Sequence, residues 1–156
     1  MADLDSPPQL RVMQASDLDA VLQVEQNAYT HPWTRAVFND TLQAGYQAQM
    51  LLREQDVLGY FVAMQGVDEV HLLNITVAPQ YQRQGWAVVI MQAMHTWARS
   101  VLAQWSWLEV RVSNARAIHL YQRFGYQQVG LRKNYYPAGH GRREDAIVMS
   151  LQLGAG

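Results

Sequence analysis

The chain has 156 residues, 49% of them hydrophobic, and no cysteine. That is enough apolar material for one domain with a sizeable core, and it excludes a disulfide framework, a thiolate nucleophile and a cysteine-ligated metal. A formal net charge of -1 and a pI near 6.5 lack the basic excess of a nucleic-acid-binding domain, so RNA or DNA is not an expected partner.

Residues 1–8 read as a short disordered lead, acidic and ending in Pro-Pro, without the positive and apolar stretches of a secretion signal. Gln9 to Met13 alternates as a strand does. Ser16 followed by Asp19 predicts a helix start, with Leu18, Val21, Leu22 and Ala28 on the apolar side. Pro32 stops that helix; Thr34 caps a second one carrying Val37, Phe38, Thr41 and Leu42, and Gly45 ends it. Three strand-like runs follow, Ala48 to Arg53, Val57 to Met64 and Val70 to Val77, with short polar breaks between them that predict an antiparallel meander. A long helix is predicted over 86–102, then a strand from Trp105 to Val112, then a helix capped by Asn114 and stopped by Gly125. Gln127 to Lys133 and Asp145 to Leu151 close the chain as strands, with Tyr135-Tyr136-Pro137 and a Gly-rich charged loop between them. The longest apolar run, Trp86 to Met94, is too short and too polar to cross a bilayer, so neither a membrane partner nor any site but the cytoplasm is expected. This order predicts one α/β (α+β) domain over residues 9–153 with a mixed sheet, and a ligand where the direction of connection changes, between the strand ending at Val77 and the strand holding Glu109.

The join from Asn74 to Ala87, N-I-T-V-A-P-Q-Y-Q-R-Q-G-W-A, is the most informative stretch. A helix that begins just after a strand aims unpaired N–H groups at one point, which attracts phosphate. Gly85 and the small Ala87 allow a ligand's phosphates to approach the main chain. Neither a P-loop nor a G-x-G-x-x-G dinucleotide fingerprint is present, and a plain tight turn is the alternative reading of Gly85.

Taken with Leu108-Glu109-Val110-Arg111-x-Ser113-Asn114, Leu120-Tyr121-x-x-x-Gly125-Tyr126, Arg132-x-Asn134-Tyr135-Tyr136-Pro137 and Arg143-Glu144-Asp145-Ala146, the Gln82-x-x-Gly85-x-Ala87 loop resembles that of the GNAT acyl-CoA-dependent N-acetyltransferases. His31-Pro32-Trp33 also fits, and within the family the pattern is most similar to the ribosomal-protein-alanine N-acetyltransferases. The resemblance implies a GNAT fold: a mixed, mostly antiparallel seven-stranded sheet flanked by four helices and splayed between the fourth and fifth strands. It implies acetyl-CoA as co-substrate, no metal, and a protein N-terminus, that of the eighteenth small-subunit ribosomal protein, as acceptor, with the enzyme a monomer or weak oligomer. By position, Ile75, Thr76 and Val77 would offer main-chain contacts to the acetyl and pantetheine part, Arg83, Gln84, Gly85, Trp86, Ala87 and Val88 would hold the pyrophosphate with their amides, and Asn114 would contact the cofactor arm. Glu109 falls at the proton-acceptor position, Tyr121 at the proton-donor position, and Tyr135 and Tyr136 would cover the peptide's first residues. Ala87 replaces the commoner second glycine, and Val88 stands where relatives often carry a basic or small polar residue.

Acetyl transfer to an amine needs that amine neutral, and the leaving thiolate needs a proton. An N-terminal amine of reference pKa about 7.7–8.0 costs about 1 kcal/mol to neutralise at pH 7, against about 4.6 kcal/mol for lysine at about 10.4. In a period-two strand Glu109 shares a face with Trp105, Trp107 and Arg111, whose opposing effects leave the direction of its pKa shift open. Each candidate also has a plain structural reading. Tyr121 lies on a core stripe with Ile118 and Phe124; Glu109 can be a paired structural ion; Tyr135 and Tyr136 can be hairpin aromatics; Arg142 to Asp145 read as a solvated charged face. The five histidines show no paired ligand spacing, so no metal site is expected. Two rivals share the cofactor loop: a GNAT enzyme for a lysine side chain or small amine, separated by acceptor profiling, and a non-catalytic acyl-CoA-binding module, which would bind coenzyme A without forming product.

Overall fold

The computed structural model describes residues 6–154, so the lead expected over 1–8 falls mostly outside the described residues. In chain order come β1 (Gln9–Val12), α1 (Leu18–Ala28), α2 (Arg35–Gln43), β2 (Gln47–Arg53), β3 (Asp56–Gln65), β4 (Glu69–Val77), α3 (Trp86–Ser100), β5 (Trp105–Arg111), α4 (Ala115–Arg123), β6 (Gln127–Pro137) and β7 (Arg143–Gln152). This is the element order that the periodicity predicts. The strands form one seven-stranded sheet in the order β1-β2-β3-β4-β5-β7-β6. β4 and β5 are parallel, while β1 with β2, β2 with β3, β5 with β7 and β6 with β7 are antiparallel. The chain divides into two compact units, one running to Met64 and including Asn74–Met94, the other made of Gln65–Leu73 and the described residues from His95 on.

In the first unit a 3₁₀ turn takes the place where Ser16 and Asp19 suggest a helix start, and α1 itself begins at Leu18. Asp17 accepts the Gln14 N–H at 2.8 Å and the Asp17 N–H reaches the Gln14 carbonyl at 2.9 Å, so a turn of 3₁₀ helix over Ala15–Asp17 leads into α1. Thr34 caps α2 as expected, its Oγ1 accepting from the Val37 N–H at 3.3 Å. Leu18, Val21 and Leu22 of α1 and Phe38 of α2 pack with Ala48, Met50 and Leu52 of β2 and Tyr60 and Val62 of β3. Each fully buried Val, Leu, Met or Phe side chain among them contributes about 1.5–3 kcal/mol. Gly59 lies on the opposite face of β3 from Tyr60. A Cβ there would stand 2.6 Å from Ile90 Cδ1 of α3 and overlap the Thr76 carbonyl oxygen, so only glycine lets β4 and α3 come this close.

In the second unit the parallel ladder pairs Glu69, Val70, His71 and Leu72 with Trp105, Ser106, Trp107 and Leu108 in turn. β5 continues to Arg111, paired along its other edge with β7 from Trp105↔Gln152 to Arg111↔Ala146. β6 and β7 are longer than the sequence suggests, and Tyr135, Tyr136 and Pro137 belong to β6 rather than to a loop. The reason is irregularity. The β6–β7 register shifts between Gln128 and Gly130 and again between Arg132 and Tyr136, and Asn134 takes φ 53°, which breaks the two-residue alternation by which a strand is read.

His95, near the end of α3, is buried at 4% exposure and holds the Tyr126 hydroxyl at 2.9 Å; that hydroxyl is 2.6 Å from Ser106 Oγ. Burial, helped by the charge of Arg99, lowers its pKa from 6.5 to about 4. Below pH 6.5 the unfolded chain therefore takes up a proton that the folded chain refuses. Stability is expected to fall progressively as the pH drops from about 6.5 to about 4, by about 3 kcal/mol in all from this residue. Urea unfolding across that range should show the loss, and His95→Gln should flatten it.

Candidate active site

Gln82, Arg83, Gln84 and Gly85 are exposed between β4 and α3, and Trp86, Ala87 and Val88 form the first turn of α3. The loop is held at its root. Gln82 Nε2 donates to the Val77 carbonyl at 3.2 Å, which gives the motif's glutamine a physical task, and the Tyr81 hydroxyl donates to Asp56 at 3.1 Å. Arg83 (φ 64°) and Gly85 (φ 89°) are both left-handed, and turns of this kind direct successive amides toward one concavity. A Cβ on Gly85 would meet nothing within 4 Å, so the glycine serves the backbone angle and leaves open space above the loop. The first amides of α3 have no acceptor inside their own helix. Arg53 adds a cation, its guanidinium 5.0 Å from the centre of the Trp86 ring, while Trp86 Nε1 donates to Gln84 Oε1 at 3.2 Å. These features suit a diphosphate.

Along the adjoining strand, Ile75 and Val77 differ from Thr76. The Thr76 carbonyl faces Gly59 of β3, so by the strand's alternation the main-chain groups of Ile75 and Val77 point to the other edge. Of the three residues expected to offer main-chain contacts, Ile75 and Val77 thus present their main-chain groups to the edge away from β3, and Thr76 presents its own toward β3. Thr76 also contributes its side chain to a network that ties the α1–α2 connection to β4. The Tyr29 hydroxyl lies 3.0 Å from the Ile75 carbonyl oxygen and 2.7 Å from Thr76 Oγ1, which donates to Asn74 Oδ1 at 2.7 Å. Asn74 Nδ2 donates to Glu25 Oε1 at 3.2 Å and the Tyr60 hydroxyl to the same oxygen at 2.6 Å, while Glu25 Oε2 takes the Trp33 N–H at 2.9 Å. Both ends of the connection, Tyr29 and Trp33, are thus fastened through one carboxylate that is 2% exposed. Burial pushes the Tyr29 phenol up to about 12, and burial with the charge of Glu25 raises Tyr60 well beyond the usual phenol range, so both are neutral donors.

In the second unit Glu109 is 9% exposed at its side chain, with Oε2 2.5 Å from His71 Nε2 and Oε1 3.5 Å from Arg132 Nε. Arg111, the cation that strand alternation sets beside Glu109, is committed elsewhere: its Nη1 donates to Glu144 Oε1 at 2.8 Å and to the Pro137 carbonyl at 2.7 Å, and its guanidinium lies 4.5 Å from the centre of the Tyr136 ring. Hydrogen bonds from Arg111, then from Ser113, hold the Glu144 carboxyl below the usual range. Burial, then the charge of Glu109, raises the Tyr136 phenol, which stays neutral. Tyr135 meets Tyr136 edge-on at 4.9 Å, with the Arg132 guanidinium 5.4 Å from the Tyr135 ring centre. The unit thus brings Glu109, Tyr135 and Tyr136 into one cluster. The charged run at 143–145 is no mere solvated face: Arg143 donates to the Asn134 and Tyr135 carbonyls at 2.8 Å each, and Asp145 takes the Asn134 N–H at 2.9 Å. Tyr121 of α4 is buried at 6% exposure with its ring edge-on to Tyr126 at 5.9 Å. Asn114 caps α4, its Oδ1 accepting from the Ala117 N–H at 3.2 Å, which leaves its NH₂ as the group able to donate outward.

The acetyltransferase (GNAT) family profile matches residues 18–126. The chain belongs to this family. It is 35% identical over 141 residues to the [ribosomal protein bS18]-alanine N-acetyltransferase of Escherichia coli K12, covering 90% of this chain and 95% of that protein. The crystal structure of the E. coli ribosomal-protein-S18-alanine N-acetyltransferase superposes with a TM-score of 0.89 at 33% identity, covering 96% of each chain. A Salmonella typhimurium protein solved with its cofactor acetyl-CoA, 18% identical with a TM-score of 0.79, covering 97% of this chain and 96% of that one, shares the fold.

As a GNAT acyltransferase, the protein has the mixed sheet, with parallel β4 and β5, that the resemblance implies. Its sequence does not single out Glu25, Tyr29, Arg53, Tyr60 or His71, and it offers Arg132 only as part of a motif. One of these left a trace: Glu25 falls at the seventh place after Leu18, on the stripe formed with Val21 and Leu22, where a carboxylate has no reason to sit without buried donors. Among the described residues, no group of three or more His, Asp or Glu side chains is arranged to hold a metal.

Proposed function

We propose that this GNAT enzyme is an acetyl-CoA-dependent Nα-acetyltransferase of the cytoplasm, acting on a protein N-terminus whose first residue is alanine, with the eighteenth small-subunit ribosomal protein as its acceptor. The observation that carries this reading is likeness along 95% of the length of an alanine N-acetyltransferase at 35% identity. Acetyl-CoA supplies the activated acetyl group. The amides from Arg83 to Val88 bind its diphosphate, with Arg83 and Arg53 providing the positive charge that Val88 does not. Ile75 and Val77 orient the acetyl and pantetheine arm through main-chain groups, and Asn114 donates to it. Glu109 accepts the proton of the acceptor's ammonium, Tyr121 donates one to the departing thiolate, and Tyr135 and Tyr136 cover the first residues of the peptide. The enzyme works as a monomer or weak oligomer without direct nucleic-acid binding.

Acceptor profiling tests the reading. An Ala-starting peptide incubated with acetyl-CoA should gain one acetyl group by intact mass. A lysine-containing peptide with a blocked terminus should stay unmodified, and acetylation of that lysine alone would reject the assignment. Tyr121→Phe is expected to lower kcat by about 10²-fold or more with the KM for acetyl-CoA nearly unchanged, because only the leaving-group proton is removed. Unaltered turnover would take Tyr121 out of the donor role.

A further inference from the structure

The proton acceptor assigned to Glu109 has a neighbour for which the reaction as described has no task. His71 of β4 pairs in register with Trp107, and two residues further along β5 Glu109 projects from the same face, so the parallel ladder itself carries imidazole to carboxylate. The result is a contact of 2.5 Å from Nε2 to Oε2, with the histidine side chain 27% exposed and the carboxylate 9%. Arg132 of β6 approaches the other oxygen at 3.5 Å. A surface ion pair formed by chance would show two flexible, well-hydrated groups. Here both partners stand on neighbouring strands, and the carboxylate is nearly dry.

Resting on the proposed role of Glu109, we propose that His71 is its positioning residue. Neutral imidazole donates Nε2–H to Oε2 and fixes the carboxylate plane, leaving Oε1 to the substrate. In the productive step an N–H bond of the acceptor ammonium breaks and an O–H bond forms at Oε1; the proton then leaves to water, and the freed electron pair on nitrogen attacks the thioester carbonyl. The other charged or titratable groups beside Glu109 are already engaged: Arg111 of β5 by Glu144 of β7, and Tyr136 of β6, a neutral phenol stacked under Arg111.

The two variants His71→Gln and His71→Ala separate a kept donor from a lost one. Glutamine keeps an N–H donor without a titrating ring. His71→Gln should therefore retain kcat within about fivefold at pH 8, measured at saturating peptide and acetyl-CoA. His71→Ala should lose about 10- to 100-fold in kcat, with the KM for acetyl-CoA unchanged. A loss in His71→Gln as large as that in His71→Ala, or full activity in His71→Ala, overturns the proposal. Glu109→Gln is run alongside: if it keeps full turnover, the proton-acceptor reading itself has failed, whereas an inactive Glu109→Gln beside indifferent His71 variants removes only His71.

Discussion

Glu109→Gln is expected to reduce kcat by about 10²- to 10⁴-fold at pH 7 with little change in the KM for acetyl-CoA, the signature of a lost proton acceptor rather than of lost binding. The substitution keeps the shape of the side chain and an oxygen able to meet His71 or Arg132, so the cluster on β5 and β6 should survive it. The defect should also shrink as pH rises. An N-terminal amine has a reference pKa of about 7.7–8.0 and is largely neutral by itself at about pH 9, where an acceptor has less to do. Steady-state rates with an Ala-starting peptide from pH 6.5 to 9.5 would measure both effects. A variant as fast as the parent at pH 7 would end the assignment, and one whose deficit is the same at every pH would point to lost geometry in place of lost proton transfer.

The second large effect concerns stability. Glu25→Ala is expected to cost about 3–5 kcal/mol, because it strands the Tyr60 hydroxyl, the Asn74 NH₂ and the Trp33 N–H in a site where the carboxylate is 2% exposed. Glu25→Gln, which keeps an acceptor oxygen, should cost less, about 1–2 kcal/mol. Urea unfolding with an unchanged m-value would measure the difference. Loss of only a few tenths of a kcal/mol in the alanine variant would mean that water replaces the carboxylate and that Glu25 does not fasten the α1–α2 connection. The two experiments touch different links of the chain. One removes chemistry from a standing fold, and the other loosens the fold while leaving Glu109 in place.

The order of the elements was legible in the chain because each is dictated locally. Thr34 and Asn114 cap helices from within three residues, the runs Ala48 to Arg53, Val57 to Met64 and Val70 to Val77 between short polar breaks read as strands, and Gly85 supplies a left-handed angle that the loop before α3 requires. The same short range explains why Gln82-x-x-Gly85-x-Ala87 can be read as a candidate phosphate-binding loop without any knowledge of what surrounds it. Local rules failed where register shifts enter: the β6–β7 hairpin continues through Tyr135 and Tyr136 because irregular pairing absorbs residues that break the alternation. Only the tertiary structure could decide the partners of the buried charges. Glu109 meets a histidine 38 positions away because a helical crossover makes β4 and β5 parallel neighbours, and Glu25 collects donors 35 and 49 positions away through the stacking of α1 on β3 and β4. Periodicity tells which face a side chain occupies, but the identity of the group it meets depends on strand order and register, which are set by the packing of the whole chain.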